Sequence, residues 1–347
     1  MKKLLIAVLI LIAVIAIIGA IAYNTTAGQD AIYKRAIAAA MSPQDNSFDG
    51  LRVVVCGSAS PLGNDPNRAQ ACIAVVTPEH FFLFDVGAGS SVRMAQARLP
   101  MPRLTGVFLT HFHSDHIAEL PAVNLATWVR GRTARLQVYG PTGVDSVVDG
   151  FNAAYQLDRG YRTEHHGSEL LAPELGPMQA NAFAPGGVVW QDDTMKVTSF
   201  LVAHNPIEPA VGYRVDYGGR SVVISGDTNA SDNLFAAAKD ADLLLHDALS
   251  RTLLDPMIAG AKEAGLPTMP KIMTDVIDYH ADVTTLPTAA EAAGVKQLVL
   301  YHLVPVPPLA LAEKMFLRGI PDNVLLANDL DTFDLPTGST DIIIHEP

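Results

Sequence analysis

The chain has 347 residues, with 36 acidic against 24 basic side chains and a net charge of −12. That balance, with no uninterrupted basic run, argues against a nucleic-acid partner. Beyond the N-terminal segment about 290 residues remain, an ordinary length for one α/β domain.

Residues 4–22 carry no charge and follow Lys2 and Lys3. The run is long enough to cross a bilayer core. The preceding lysines place the N-terminus in the cytoplasm and everything after Tyr23 outside it. Residues 1–22 are read as an uncleaved anchor, with a signal peptide cut at Ala20-Ile21-Ala22 as the rival. Either way the rest of the chain is expected outside the cytoplasm, tethered or secreted. Residues 23–50 read as a tether holding a short helix over 31–41 and then a linker.

From residue 51 strands and helices alternate. Residues 51–56 read as a strand, 68–76 as a second after a Gly/Ser/Pro/Asn loop, and 81–84 as a third that runs into Asp85-Val86-Gly87-Ala88-Gly89. Cys56 and Cys72 fall on the first two strands. They can pair in an oxidising compartment or sit in the core as apolar side chains, and the sequence leaves both open. A helix over 90–99 and an apolar strand over 106–110 follow. The strand ends in His111-Phe112-His113-Ser114-Asp115-His116, with Ser114 placed to cap the next helix. His111 and His113, two apart on extended chain, project to one side. Asp115 and His116 start the turn beyond and face a neighbouring point. Two imidazoles aimed at one place, with a carboxylate and an imidazole aimed beside it, suit two adjacent metal ions.

This HxHxDH turn resembles that of the metallo-β-lactamase superfamily, and the resemblance extends over residues 51–335. It implies an αββα sandwich, of α/β (α+β) class, with the remaining ligands at later strand ends. His204 closes an alternating strand over 195–203, Asp227 ends the strand 221–226, and His302 ends the strand 296–301. By resemblance His111, His113 and His204 hold one divalent ion, Asp115, His116 and His302 hold the other, and Asp227 bridges. Zinc is the expected metal, although His/Asp sites also accept iron or manganese. Asp85 is expected to orient the metal turn from behind.

Three segments resemble the tRNase Z and arylsulfatase-like branch: Tyr139-Gly140-Pro141, His246-Asp247 (Asp in place of that branch's Glu), and the loop around His280. The implied chemistry is attack of a metal-bound hydroxide on a phosphodiester or sulfate ester. Asp115 sits in the catalytic centre, and His280, oriented by Asp247, protonates the leaving group. His246 reads as a packed strand-end residue. The basic arm that grips tRNA in that branch has no room between Asn205 and Arg220, so a small or extended ester is expected rather than tRNA. A carboxylic ester, lactone or β-lactam is the alternative within the fold, and a non-catalytic, membrane-tethered binding protein is the alternative outside enzymes. Many relatives are dimers, which makes a homodimer an expectation too.

Residues 158–188 lack a regular pattern and read as a mobile lid over the substrate, with His165 and His166 solvated. Residues 325–335 read as a closing strand after an Ala327-Asn328-Asp329 turn, and 336–347 as a tail with His345 in solvent.

Overall fold

Successive side chains of a strand point to opposite faces, and β1 (Gly50–Gly57) shows the consequence. Leu51, Val53 and Val55 enter one buried core, while Val54 and Cys56 enter another. A strand buried on both faces must lie in a sheet covered on both sides. The computed structural model, which describes residues 2–41, 48–63 and 65–347, has that construction.

The first sheet takes β1, β2 (Cys72–Val76), β3 (Phe81–Phe84), β4 (Gly106–Phe108), β5 (Gln137–Gly140) and β6 (Gln179–Ala182) in sequence order. Its pairing is antiparallel from β1 to β3 and parallel from β3 to β6. The second sheet takes β7 (Gly187–Gln191), β8 (Met195–Leu201), β9 (Val211–Tyr217), β10 (Arg220–Ile224), β11 (Leu243–Leu249), β12 (Gln297–Val304) and β13 (Leu325–Leu326). It repeats the same switch, antiparallel to β10 and parallel beyond. The chain then returns to the first sheet as β14 (Thr332–Pro336) and β15 (Ile343–His345).

The inner faces meet in one core, in which Val53, Phe84 and Phe108 of the first sheet face Tyr213, Leu245 and Val299 of the second. Helices cover both outer faces: Ser90–Gln96 and Val144–Ala154 on the first sheet, Asp232–Ala237 and Leu286–Ala292 on the second. The layers are therefore helix, sheet, sheet, helix. The turn at Gly218-Gly219 closes β9 onto β10 with φ of 53° and 78°, values that a side chain would resist.

Cys56 and Cys72 form a disulfide with Cα atoms 4.9 Å apart, both fully buried between β1 and β2. That resolves what the sequence left open.

The N-terminal unit is separate from the domain that begins at Ser47. It consists of helices Lys2–Asn24 and Thr26–Met41, the second starting earlier than the expected 31–41. The first, 23 residues and so about 34 Å long, contains an 18-residue stretch with a mean hydropathy of 3.4 and is long and apolar enough to cross a membrane. Most of the expected linker, residues 42–47, lies outside the described residues.

Three expectations for the domain change. Residues 158–188 are not an irregular lid: Gln156–His166 is a helix, continuing almost directly from Val144–Ala154 and carrying an Asp158–Arg162 pair one turn apart at 2.9 Å. The segment also supplies β6, which pairs in parallel with β5, and the first two residues of β7. Within residues 325–335 the closing strand follows the Ala327-Asn328-Asp329 turn as expected, as β14, and β13 ahead of the turn joins the other sheet. The supposed tail supplies β15, on which His345 is exposed as expected, with Nε2 3.2 Å from Asp334. Ser114 does not cap: it is the first residue of the helix Ser114–Ile117, and His113 takes the cap position without a side-chain bond.

Candidate metal centre

Apolar strands end at one edge of the sandwich, and polar side chains begin where they stop. After β4 the chain passes Leu109 and reaches Thr110 and His111, both buried. Asp85 sits just past β3, next to β4 in the sheet, with φ of 57°. Its carboxylate accepts from the Thr110 N–H at 2.8 Å and from the Thr110 hydroxyl at 2.8 Å, and it meets His116 Nδ1 at 2.7 Å. On the other sheet β8, β10 and β12 deliver His204, Asp227 and His302. The last uses a bulge: Asp247 pairs with Tyr301 and Ala248 with Leu303, so His302 is the extra residue, and its φ is 44°. A bulge re-aims a side chain that the ladder would otherwise fix.

His111, His113, Asp115, His116, His204, Asp227 and His302 converge into two groups, and Asp227 belongs to both; a third set joins Asp227 and His302 to Asp247 and His280. Its Oδ2 lies 3.8 Å from His111 Nε2 and 3.9 Å from His204 Nε2. His113 Nδ1 completes that group, 3.0 Å from His111 Nε2 and 3.5 Å from His204 Nε2. Asp227 Oδ1 lies 3.2 Å from His116 Nε2 and 3.3 Å from His302 Nε2. Asp115 Oδ2 completes the second group, 3.1 Å from His302 Nε2 and 3.4 Å from His116 Nε2. The grouping coincides with the one implied by resemblance, and one carboxylate gives an oxygen to each half.

The hydrogen bonds behind the imidazoles decide which ring nitrogens can bind a cation. His116 Nδ1 faces a carboxylate, so it carries the proton and Nε2 keeps a lone pair. His204 Nδ1 faces the Tyr279 carbonyl at 3.1 Å, with the same result. The Thr110 hydroxyl has donated its hydrogen to Asp85, so it accepts from His111 Nδ1 at 3.0 Å, and His111 Nε2 is free. His116 Nε2 and Asp227 Oδ1 are buried, close, and yet make no hydrogen bond. Buried polar atoms are normally paired, and two lone pairs turned to a common point fit a cation between them.

The charge pattern agrees. Burial pushes the His111, His113 and His204 rings below the ordinary histidine range and keeps them neutral. Burial acts the same way on His116, but Asp227, Asp115 and Asp85 outweigh it and raise its pKa. His302 is raised likewise, by Asp227 and Asp115 against burial. Burial disfavours the charged forms of Asp115 and Asp227, yet the facing histidines hold both well below the usual carboxylate range. The carboxylates stay ionised, and their field draws positive charge to this point: a second proton on His116 and His302 when no cation is bound, which a cation on those nitrogens would replace.

Asp247, two residues before the end of β11, is fully buried. Its Oδ2 meets His280 Nδ1 at 2.6 Å, and its Oδ1 lies 3.2 Å from His246 Nδ1. Burial opposes its ionisation, but these two imidazoles lower its pKa. The His280 ring lies 5.4 Å from that of His302, nearly parallel to it. His246 is fully buried against Phe235, as a packed residue would be, and also touches Asp247.

A cavity of 320 Å³ opens over the centre, between His113, Asp115, Asp227, His280 and His302 on one side and Leu62, Met269, Ile272, Val276 and Val304 on the other. No residue of 158–188 lines it, and His165 and His166 are exposed on their own helix. The wall comes instead from helix Met269–Asp275, a segment that no motif marks. Thr110 and Tyr279 were missed too, since each acts through an atom with no motif: a hydroxyl behind His111 and a carbonyl behind His204.

The profile of the beta-lactamase superfamily domain matches residues 80–303, and the chain belongs to this superfamily, with the metallo-β-lactamase fold. It is 33% identical over 295 residues to a protein named ribonuclease Z from Mycobacterium sp. strain KMS, an alignment covering 83% of this chain and 97% of that one. Among solved structures it resembles the short form of human tRNase Z, with a TM-score of 0.58 at 21% identity over 82% of this chain and 99% of that one. It also resembles zinc-bound PqqB from Methylobacterium extorquens, with a TM-score of 0.55 at 18% identity over 82% and 100%. At these identities the solved structures speak for the fold alone.

Proposed function

We propose that the chain is a binuclear metal-dependent hydrolase of phosphodiesters or sulfate esters. His111, His113 and His204 would hold one ion, Asp115, His116 and His302 the other, with Asp227 shared between them. Zinc suits this mixture of imidazole and carboxylate donors. Bound there, two divalent cations would acidify a water and offset the negative charge that builds on the ester oxygens.

The observation that carries the choice of ester is the His280–Asp247 pair beside the centre, 2.6 Å apart. An alkoxide or phenoxide leaving from phosphorus or sulfur needs a proton. Asp247 fixes His280 with its Nδ1 hydrogen occupied, which leaves Nε2 to donate towards the cavity. In the reaction the water oxygen bonds to phosphorus or sulfur, the bond to the leaving oxygen breaks, and His280 gives that oxygen its proton. The water's own proton passes to solvent or restores His280.

The ribonuclease name of the mycobacterial relative supports phosphodiester chemistry. A small ester suits this chain better than RNA, because only nine residues, 202–210, join β8 to β9, and none of the residues lining the cavity is Lys or Arg. An extracytoplasmic domain is consistent with the buried disulfide and the apolar N-terminal helix after Lys2 and Lys3. The test is turnover by the zinc-loaded full chain of bis(4-nitrophenyl) phosphate, 4-nitrophenyl sulfate, a lactone and a chromogenic β-lactam. Preference for either of the first two supports the assignment, and preference for the lactone or β-lactam overturns it.

A further inference from the structure

We propose, building on the ester-hydrolase function, that one substituent of the substrate is an uncharged apolar group, an aryl ring or short alkyl chain, seated on Leu62, Met269, Ile272 and Val276. Helix Met269–Asp275 places apolar residues at 269, 272, 273 and 276, a helical stripe that continues into the next turn. Met273 and Val276 are buried and pack with Leu254, Ile258 and Val304, so the stripe rests on a firm core. Met269 and Ile272, on the cavity side, remain 37% and 49% exposed. Two large apolar side chains held over a cavity that also contains the ligand cluster invite an apolar occupant there.

Size and charge narrow the occupant. At 320 Å³ the cavity lies at the lower end of small-molecule sites. A ring or a few carbons fills it beside the reacting centre. A nucleotide chain would need cations for its successive phosphates, and the cavity's charged lining is acidic, with Asp115 and Asp227 as its ionised groups. The ion pair would therefore take the ester group, and the Met269–Val276 wall would take the apolar substituent and select for it.

The experiment measures binding of methyl- through pentylphosphonate, and of phenylphosphonate, to the zinc-loaded full chain. Each carries one uncleavable C–P bond and one apolar group. Affinity should rise about two- to fourfold per methylene until the cavity is filled, and phenylphosphonate should bind more tightly than methylphosphonate. Ile272→Asn and Met269→Gln alter exposed positions, and each should flatten the series. A series flat in the unaltered chain, a slope unchanged in both variants, or no binding by any member would overturn the proposal. Turnover of bis(4-nitrophenyl) phosphate is measured separately. Its absence alongside a steep binding series would sink the hydrolase function and leave the apolar wall standing.

Discussion

Asp85 touches none of the cation-facing nitrogens, yet the Asp85→Asn variant should cripple metal binding. Asparagine suits the left-handed backbone at this position, φ 57°, so the turn is kept. The amide has one acceptor where the carboxylate had two. If its oxygen takes the Thr110 N–H, its NH₂ faces the Thr110 hydroxyl and His116 Nδ1, which now stand 2.8 and 2.7 Å from Asp85 Oδ2. Nδ1 of His116 must then accept, which moves its proton to Nε2 and removes the lone pair. The Thr110 hydroxyl, now an acceptor from the amide, would give its hydrogen to His111 Nδ1 and misassign that ring too. Loss of such support costs roughly 10- to 100-fold in metal affinity, about 1.4 to 2.8 kcal/mol. Zinc titration against a competing chelator, with circular dichroism to confirm folding, reads this directly. Asp85→Ala should fare worse, because it adds about 1 to 2 kcal/mol of left-handed strain. A folded Asp85→Asn chain that binds both ions with unaltered affinity would refute tautomer control by this carboxylate.

Three further outcomes follow from particular contacts. His280→Ala should lower kcat by about 10²- to 10⁴-fold on esters with alkyl leaving groups and far less on 4-nitrophenyl esters, whose leaving group needs little protonation, with metal content unchanged; equal losses on both would remove His280 as the acid. Replacing Cys56 and Cys72 with Ala opens a loop spanning 16 residues, and denaturant titration should show a loss of about 3 kcal/mol; no loss would mean that the strand pairing alone fixes this edge. Burial pushes the Asp331 carboxyl up to about 6, against the Asn328 N–H that favours its charge. The unfolded chain releases that proton near pH 4 and the folded one near 6, so this residue makes stability fall as pH rises between them and leaves it lower above. Asp331→Asn should flatten that part of the profile and raise the melting temperature at pH 7, and an unchanged slope would contradict it.

The cluster was legible in the sequence because several of its members follow an apolar strand, and the end of a strand fixes where the next side chain can lie. That holds for His111, His204 and Asp227, whereas His302 lies inside β12 and is aimed by the bulge there. The αββα layering came with the family resemblance carried by the HxHxDH turn, and the structure bears it out, with β1 buried on both faces except at Arg52. Helix Gln156–His166 was not legible because it buries no side chain and carries Gly160 mid-way, so no apolar stripe marks it. β6, β13 and β15 are edge strands of four, two and three residues. Pairing with distant chain decides them, and so short a segment shows no alternation. The apolar wall was hidden for a different reason. Its stripe looked like any helix facing a core, and only the fold shows Met269 and Ile272 turned to the cavity.

Counting metal on the purified full chain, by mass spectrometry of the element after exhaustive dialysis against zinc buffer, bears most directly on the shared Asp227 centre. Two ions per chain are expected, with loss of at least one in Asp227→Ala while the fold, followed by circular dichroism, persists. A folded, metal-free chain, or an Asp227→Ala chain that keeps both ions, would contradict a centre in which this carboxylate gives one oxygen to each cation.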